Sequence, residues 1–245
     1  MKPMAIDLFC GLGGWTEGLL AEGYYVVGFD IERHVYGEHR YPAQLVLQDV
    51  LSIHGRQFKD ATLIVASPPC QAYSYRAMPW KRAKALPPPD NSLFEACFRI
   101  QREASEAAGR HIPMVVENVR GAQPWVGRSR WNFGSFHLWG DVPALMPMVK
   151  VSAKVPDLDW SKHGTPGYRD GPGRAFNDTA IKNLDGIKNK DADGYVRDHP
   201  SAFGWKAPRT SSASPKRKFA AAQVAKIPLP LARYIAATYK PRLAA

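Results

Sequence analysis

This sequence predicts an α/β fold built on a mostly parallel sheet, on three observations. Short apolar runs alternate with helix-patterned segments as far as Gly140. The run Leu63–Ala66 is apolar at every position, as a strand covered on both faces should be. The turn that follows the first run is rich in glycine, which lets backbone approach a ligand closely. At 245 residues the chain can bury one sizeable core with a small appended lobe.

Taken in order, Ala5–Phe9 reads as the first strand. A glycine turn follows, then a helix from Trp15 to Glu22 that Gly23 stops. Tyr24–Phe29 is the second strand. A short helix near Arg33–Arg40 leads to a third strand at Leu45–Leu47, and Leu63–Ala66 is the fourth. Ser92 with Glu95 forms a capping-box signature. Leu93, Cys97, Ile100, Ala104 and Ala107 then recur at helical spacing as far as Gly109. Pro113–Val116 is the fifth strand and Phe133–Trp139 the sixth. Such alternation implies helices on both faces of a parallel sheet, a Rossmann-like architecture.

The pattern fails after Gly140. Residues 156–217 are rich in Gly, Pro, Asp, Asn, Lys and Arg, and read either as a small irregular lobe or as a partly mobile segment. Helical patterning resumes at Leu231–Tyr239 after Pro228 and Pro230, where the chain is expected to pack back onto the sheet. The domain boundaries expected are 1–150 completed by 218–245, with 151–217 as the small lobe.

The net charge of +11 is uneven. Residues 1–150 hold 16 Lys/Arg against 14 Asp/Glu; residues 151–245 hold 17 against 8. A basic segment of this kind suits a polyanion such as nucleic acid, or else simply keeps the chain solvated. No run reaches the roughly 20 apolar residues of a membrane span. The start, Met1–Asp7, lacks the apolar stretch of a signal peptide, so a cytoplasmic protein is expected. Cys10, Cys70 and Cys97 are odd in number and lack metal-ligand spacing, which points to neither disulfides nor a metal site.

Two clusters carry chemistry. Asp7-Leu8-Phe9-Cys10-Gly11-Leu12-Gly13-Gly14 follows a strand and opens a helix, so its amides can meet a ligand; a tight turn with no ligand is the plain alternative. About 20 residues on stands a strand-ending acid suited to a ribose, Asp30, with Glu32 as its rival. Asp49 ends the third strand, where it could receive an exocyclic amine. The second cluster is Ser67-Pro68-Pro69-Cys70-Gln71, just past the fourth strand, with Glu117 ending the fifth. Two prolines stiffen the approach to Cys70 and place it in a turn, whereas Cys97 and Cys10 read as packing residues.

The first cluster, Pro69-Cys70-Gln71 and Glu117-Asn118-Val119 together resemble the DNA cytosine-5 methyltransferase family, in matching order and on matching strands. That resemblance implies S-adenosylmethionine as cofactor and no metal. Asp7, Phe9, Gly11, Leu12, Gly14, Asp30, Ile31, Asp49, Val50 and Pro69 would form its site, with Phe9 against the adenine unless it is a core aromatic. It also implies Cys70 as nucleophile at cytosine C6 and Glu117 as the acid at N3, acting on a base flipped from double-stranded DNA.

In the long connection 72–91, Tyr73, Tyr75, Arg76, Trp80, Lys81, Arg82 and Lys84 interleave aromatics and cations as a nucleic-acid clamp does; a solvated loop without a role is the alternative. By resemblance Gln71, Ser74, Arg76, Lys81 and Arg82 would meet DNA, and Arg128 and Arg130 would stand for the family's paired catalytic arginines. Residues 141–217 take the place of a target-recognition domain. Residues 225–232 resemble the last family motif, with Ala225 or Lys226 where its asparagine stands. A monomer is expected in a bacterial or phage-infected cell, with a restriction endonuclease as one conceivable partner. The rival readings are an RNA cytosine-5 methyltransferase, an inactive DNA-binding relative and a nucleotide-dependent oxidoreductase.

Overall fold

The computed structural model describes residues 2–74, 85–146, 218–219, 222–223 and 225–241. The chain divides into two compact units, Met1–Pro147 with Ile227–Ala245, and Met148–Lys226. The first contains the sheet. Of the second, only a few residues near its end are described, so the expected small basic lobe lies outside the described residues.

The elements of the first unit are β1 (Met4–Leu8), α1 (Gly14–Ala21), β2 (Tyr25–Asp30), β3 (Val35–Tyr36), β4 (His39–Arg40), β5 (Gln44–Leu47), β6 (Leu63–Ala66), α2 (Ser92–Ala108), β7 (Met114–Asn118), α3 (Gln123–Val126), β8 (Trp131–Phe133), β9 (Phe136–Gly140) and α4 (Leu229–Tyr239). Seven strands form one sheet in the order β5-β2-β1-β6-β7-β9-β8. β5, β2, β1, β6 and β7 pair in parallel, and β9 runs antiparallel to both neighbours. This is the Rossmann-like α/β sheet that the alternation predicted, with a reversed strand near one edge. The order changes direction between β1 and β6, so the loops after Leu8 and Ala66 diverge there and leave a crevice.

Each face is covered by different helices. Ile6, Leu8, Ile64, Ala66, Met114 and Val116 point to one face and pack with Phe94, Cys97, Ile100 and Ala104 of α2. The alternate residues Ala5, Leu63, Val65 and Val115 are fully buried on the other face. That face carries α1, whose Thr16 hydroxyl donates to Asp7 at 2.6 Å. α4 lies on α1 so closely that a Cβ on Gly18 would fall 2.4 Å from the Ala232 Cβ. Tyr24 adds a hydrogen bond to the Ala236 carbonyl at 2.9 Å. No described helix is long and apolar enough to cross a membrane.

Several local expectations are corrected. Residues 33–40 form the β3–β4 hairpin, not a helix, and the stretch 131–140 is a hairpin, not one strand. Both follow from one device, a two-residue turn that opens on glycine with positive φ (Gly37, 61°; Gly134, 58°), which matches the twist of the strands it joins. The capping box does not form: the N-cap of α2 is Asn91, and the Ser92 amide is instead taken by Asp90 at 2.8 Å. The buried stripe of α2 uses Phe94 and Ala96 beside Cys97, Ile100 and Ala104, while Ala107 is exposed.

Candidate active site

Parallel strands all end on one side, so their carboxyl ends line up. Along this edge stand Asp49 after β5, Asp30 ending β2, the glycine turn after β1, Ser67–Cys70 after β6 and Glu117 in β7. Four inter-strand spacings separate the outermost of these strands, about 19 Å.

At the glycine turn, Phe9 adopts φ 58°, a left-handed backbone uncommon for an aromatic residue, and Gly11 follows at 51°. A Cβ on Gly11 would meet nothing within 4 Å, so the outer side of the turn is open. The Gly11 amide donates to Asp30 Oδ2 at 2.9 Å, the Glu32 amide donates to Oδ1 at 3.2 Å, and His34 Nε2 lies 3.5 Å from Oδ1. Burial by itself would raise the Asp30 pKa, but His34 and the two amides outweigh it and lower the pKa below the usual carboxylate value. Asp30 is therefore ionised and braces the turn. Glu32, its rival, is exposed and sits 3.6 Å from His34 Nδ1.

The other residues of this group divide by exposure. Ile31 is 75% exposed beside Asp30. Asp49 is exposed, with Oδ1 accepting from the Leu51 amide at 2.9 Å. Phe9 is partly buried against the core, while Leu12, Gly14 and Val50 are buried. Asp7 lies beneath the turn, 1% exposed. Its Oδ2 accepts from Thr16, whose hydroxyl is also 2.6 Å from the Tyr41 hydroxyl. Burial pushes the Asp7 carboxyl up to about 8. A fixed anion, an open backbone turn and an exposed apolar side chain on adjacent strand ends fit the ribose, chain and base of an adenosyl group.

On the other side of the crevice, Cys70 is half-buried, and the amides of Tyr73 and Ser74 donate to its carbonyl at 2.9 and 3.0 Å. Pro69 and Gln71 are exposed and Pro68 is buried. Asn118 Nδ2 donates to the Pro68 carbonyl at 3.0 Å, which ties the proline turn to β7. Sequence reasoning quoted Asn118 but gave it no role. Burial pushes the Cys70 thiol up; a hydrogen bond with Ser74 opposes that, and the nearby Glu117 carboxylate adds to it. Glu117 is 8% exposed, and burial pushes its carboxyl up to about 8 against a hydrogen bond from Ser67. Cys10 and Cys97 are buried, with thiols held far from ionising.

Other sequence-predicted residues fall elsewhere. Arg128 and Arg130 are exposed. The Arg130 amide donates to the Leu138 carbonyl, and Leu138 stands opposite Glu117, so Arg130 lies two strand spacings from Glu117, about 10 Å. Tyr73 does not stand among the clamp aromatics: it is 3% exposed and donates its hydroxyl to Asn91 Oδ1 at 2.8 Å, filling the core. Ser74 is half-buried near the thiol. Tyr75, Arg76, Trp80, Lys81, Arg82 and Lys84 lie outside the described residues. Two residues quoted from the sequence had been given no role. Trp15 and Ser67, 52 residues apart, share a hydrogen bond of 3.0 Å across the crevice; a serine between an apolar strand and two prolines was the available signal.

Residues 4–123 match the model of the C-5 cytosine-specific DNA methylases. Among solved structures, the chain is similar to an Escherichia coli prophage protein assigned as a DNA modification methyltransferase, at 25% identity over 49% of this chain and 33% of that one, with a TM-score of 0.34. It is similar to the Dnmt2 methyltransferase of S. pombe at 16% identity over 50% and 36%, TM-score 0.34. A third is the Entamoeba histolytica methyltransferase EhMeth, at 18% identity over 51% and 41%, TM-score 0.36. The similarity thus spans about a third of the length of the first of these. No curated protein matches the chain.

Proposed function

We propose that the protein transfers a methyl group to C5 of cytosine in double-stranded DNA, a reading supported by the match of residues 4–123 to the model of the C-5 cytosine-specific DNA methylases. The observation that carries the reading is the pairing of a half-buried Cys70 with a buried Glu117, whose carboxyl burial pushes up to about 8, near the ends of neighbouring parallel strands and next to an open glycine turn.

The family's methyl donor is S-adenosylmethionine, whose sulfonium supplies an electrophilic methyl group. In this chain the turn at Gly11, the anion of Asp30, exposed Ile31 and Asp49 would hold it. Cytosine C5 is a poor nucleophile, so its electron density must first rise. Glu117, protonated at neutral pH, donates its proton to N3, which draws electrons from C6. The Cys70 thiolate then adds to C6, and C5 becomes the nucleophilic end of an enamine. After methylation water takes the C5 proton, the C5–H electron pair forms the C5=C6 double bond as the C6–S bond breaks to release the Cys70 thiolate, and N3 returns its proton to the Glu117 carboxylate. The neutral acid matters for Cys70 as well. A carboxylate there opposes thiolate formation, and a protonated Glu117 removes that repulsion.

Both groups lie in a crevice at the sheet edge, and C6 of a stacked base cannot reach them, so the cytosine must be flipped out. Pro69, Gln71 and Ser74 flank the sulfur, and the basic segment 151–217 would supply phosphate contacts and target choice.

The test is methyl transfer from labelled S-adenosylmethionine to matched DNA and RNA, together with trapping on DNA that carries 5-fluorocytosine. A fluorine at C5 blocks the final elimination, so a covalent complex that Cys70→Ser cannot form is the expected result. Transfer to RNA alone, or full transfer by Cys70→Ser, would overturn the proposal.

A further inference from the structure

Trp15 and Ser67 carry an inference that rests on the methyltransfer reading and goes beyond it. Indole Nε1–H can only donate, so the 3.0 Å bond between Trp15 and Ser67 has one direction, with the serine oxygen accepting. A serine hydroxyl has a single hydrogen, and with one lone pair taken by Trp15 that hydrogen is free to be aimed elsewhere. β6 and β7 pair with Ala66 opposite Val116, which brings Ser67 level with Glu117. Both side chains alternate to the face of the sheet that carries α1, the helix of Trp15. Trp15 is 2% exposed and Glu117 8%, with the half-buried Ser67 between them.

We propose that Ser67 is a positioning residue for Glu117: oriented by Trp15, it donates its hydroxyl hydrogen to the carboxyl and so sets how readily Glu117 parts with its proton. The link runs from the helix that opens on the glycine turn to the acid on the far side of the crevice. Proton transfer from Glu117 to N3 leaves a carboxylate, and Ser67 is the hydrogen-bond donor already in place to receive that charge. The pKa of Glu117 is lowered by the same hydroxyl against the larger effect of burial. The other groups that face Glu117 leave this role open. The loop after β6 presents the Cys70 thiol; β9 presents Leu138, with His137 on the opposite face; beyond β6, β1 presents Asp7, engaged with Thr16.

The experiment is an infrared titration of the carboxyl groups of the ligand-free full chain, with the Glu117 band identified by its loss in Glu117→Gln, alongside the pH dependence of kcat. In Ser67→Ala the Glu117 midpoint is expected to rise by about one pH unit, the worth of a hydrogen bond to a charged group, and the alkaline limb of kcat to rise with it. Ser67→Thr keeps the hydroxyl and is expected to restore both. Trp15→Phe frees the serine to rotate and gives a smaller shift in the same direction. A Glu117 midpoint that is unmoved in Ser67→Ala overturns the inference, as does one that Ser67→Thr fails to restore. The infrared arm needs no turnover, so a protein that methylates nothing would sink the methyltransfer reading and still leave this one decided.

Discussion

Asp30 and Glu117 are both 8% exposed, both lie at or next to the carboxyl ends of parallel strands of one sheet, and behave in opposite ways. Asp30 is held below the usual carboxylate range while Glu117 is pushed up to about 8. Burial costs each of them the same kind of desolvation. The difference lies in what replaces water: two backbone amides and His34 surround Asp30, whereas Glu117 has Ser67. On the proposed reading, one end of the crevice keeps a fixed anion for a ligand and the other keeps a proton to give away. The identity of the side chain decides little here; the number of donors decides the charge.

The comparison breaks most sharply at the chemical end. Cys70→Ser is expected to cut methyl transfer by roughly a thousandfold or more while cofactor affinity, measured by calorimetry, stays near wild type. Glu117→Gln should lower kcat by about 10²–10⁴-fold, again with little change in cofactor Kd, because only the proton donor is lost. At the other end the pattern reverses. Asp30→Asn keeps the shape but weakens the brace on Gly11 and the proposed contact to a ribose, so Kd for S-adenosylmethionine should rise about tenfold to a hundredfold, the worth of a charge-assisted hydrogen bond.

Stability against pH sharpens the same contrast. Glu117 has a folded pKa above its unfolded value, so its favourable contribution is complete below the ordinary carboxylate range, near 4.5, and is lost as pH rises through about 8. Asp30 has a lowered pKa, so its contribution is present above the ordinary carboxylate range and lost as pH falls through its folded value. Asp7, also raised to about 8, adds to the alkaline slope. Urea unfolding should therefore show Glu117→Gln gaining on wild type between pH 5 and 8 by an amount on the order of a few kcal/mol, and Asp30→Asn losing least in acid. The smallest effect expected is at the helix contact. Gly18→Ala forces α1 and α4 apart and should cost about 1–3 kcal/mol in the same assay, without shifting either pH slope.

Legibility follows distance along the chain. Leu63–Ala66 announced itself as a strand covered on both faces and Pro113–Val116 as the strand after it, and the positions of Cys70 and Glu117 near their carboxyl ends followed from that. The two hairpins were missed because Gly37-Glu38 and Gly134-Ser135 are short turn signals inside stretches with another plausible period. Tyr73 was misread for a different reason: aromatic residues near cations suit a clamp and a core equally, and only its packing and its bond to Asn91 separate the two.

The sequence by itself determined the α/β alternation, the glycine turn, and which cysteine and which glutamate stand at strand ends, since each of these is written within a few neighbouring residues. Tertiary structure alone decided that Asp30 braces Gly11, 19 residues away, and that Trp15 reaches Ser67 across 52 residues. It also decided that one buried acid has its pKa lowered and the other raised. Charge at a buried group depends on donors brought from distant parts of the chain, and no local pattern encodes their arrival.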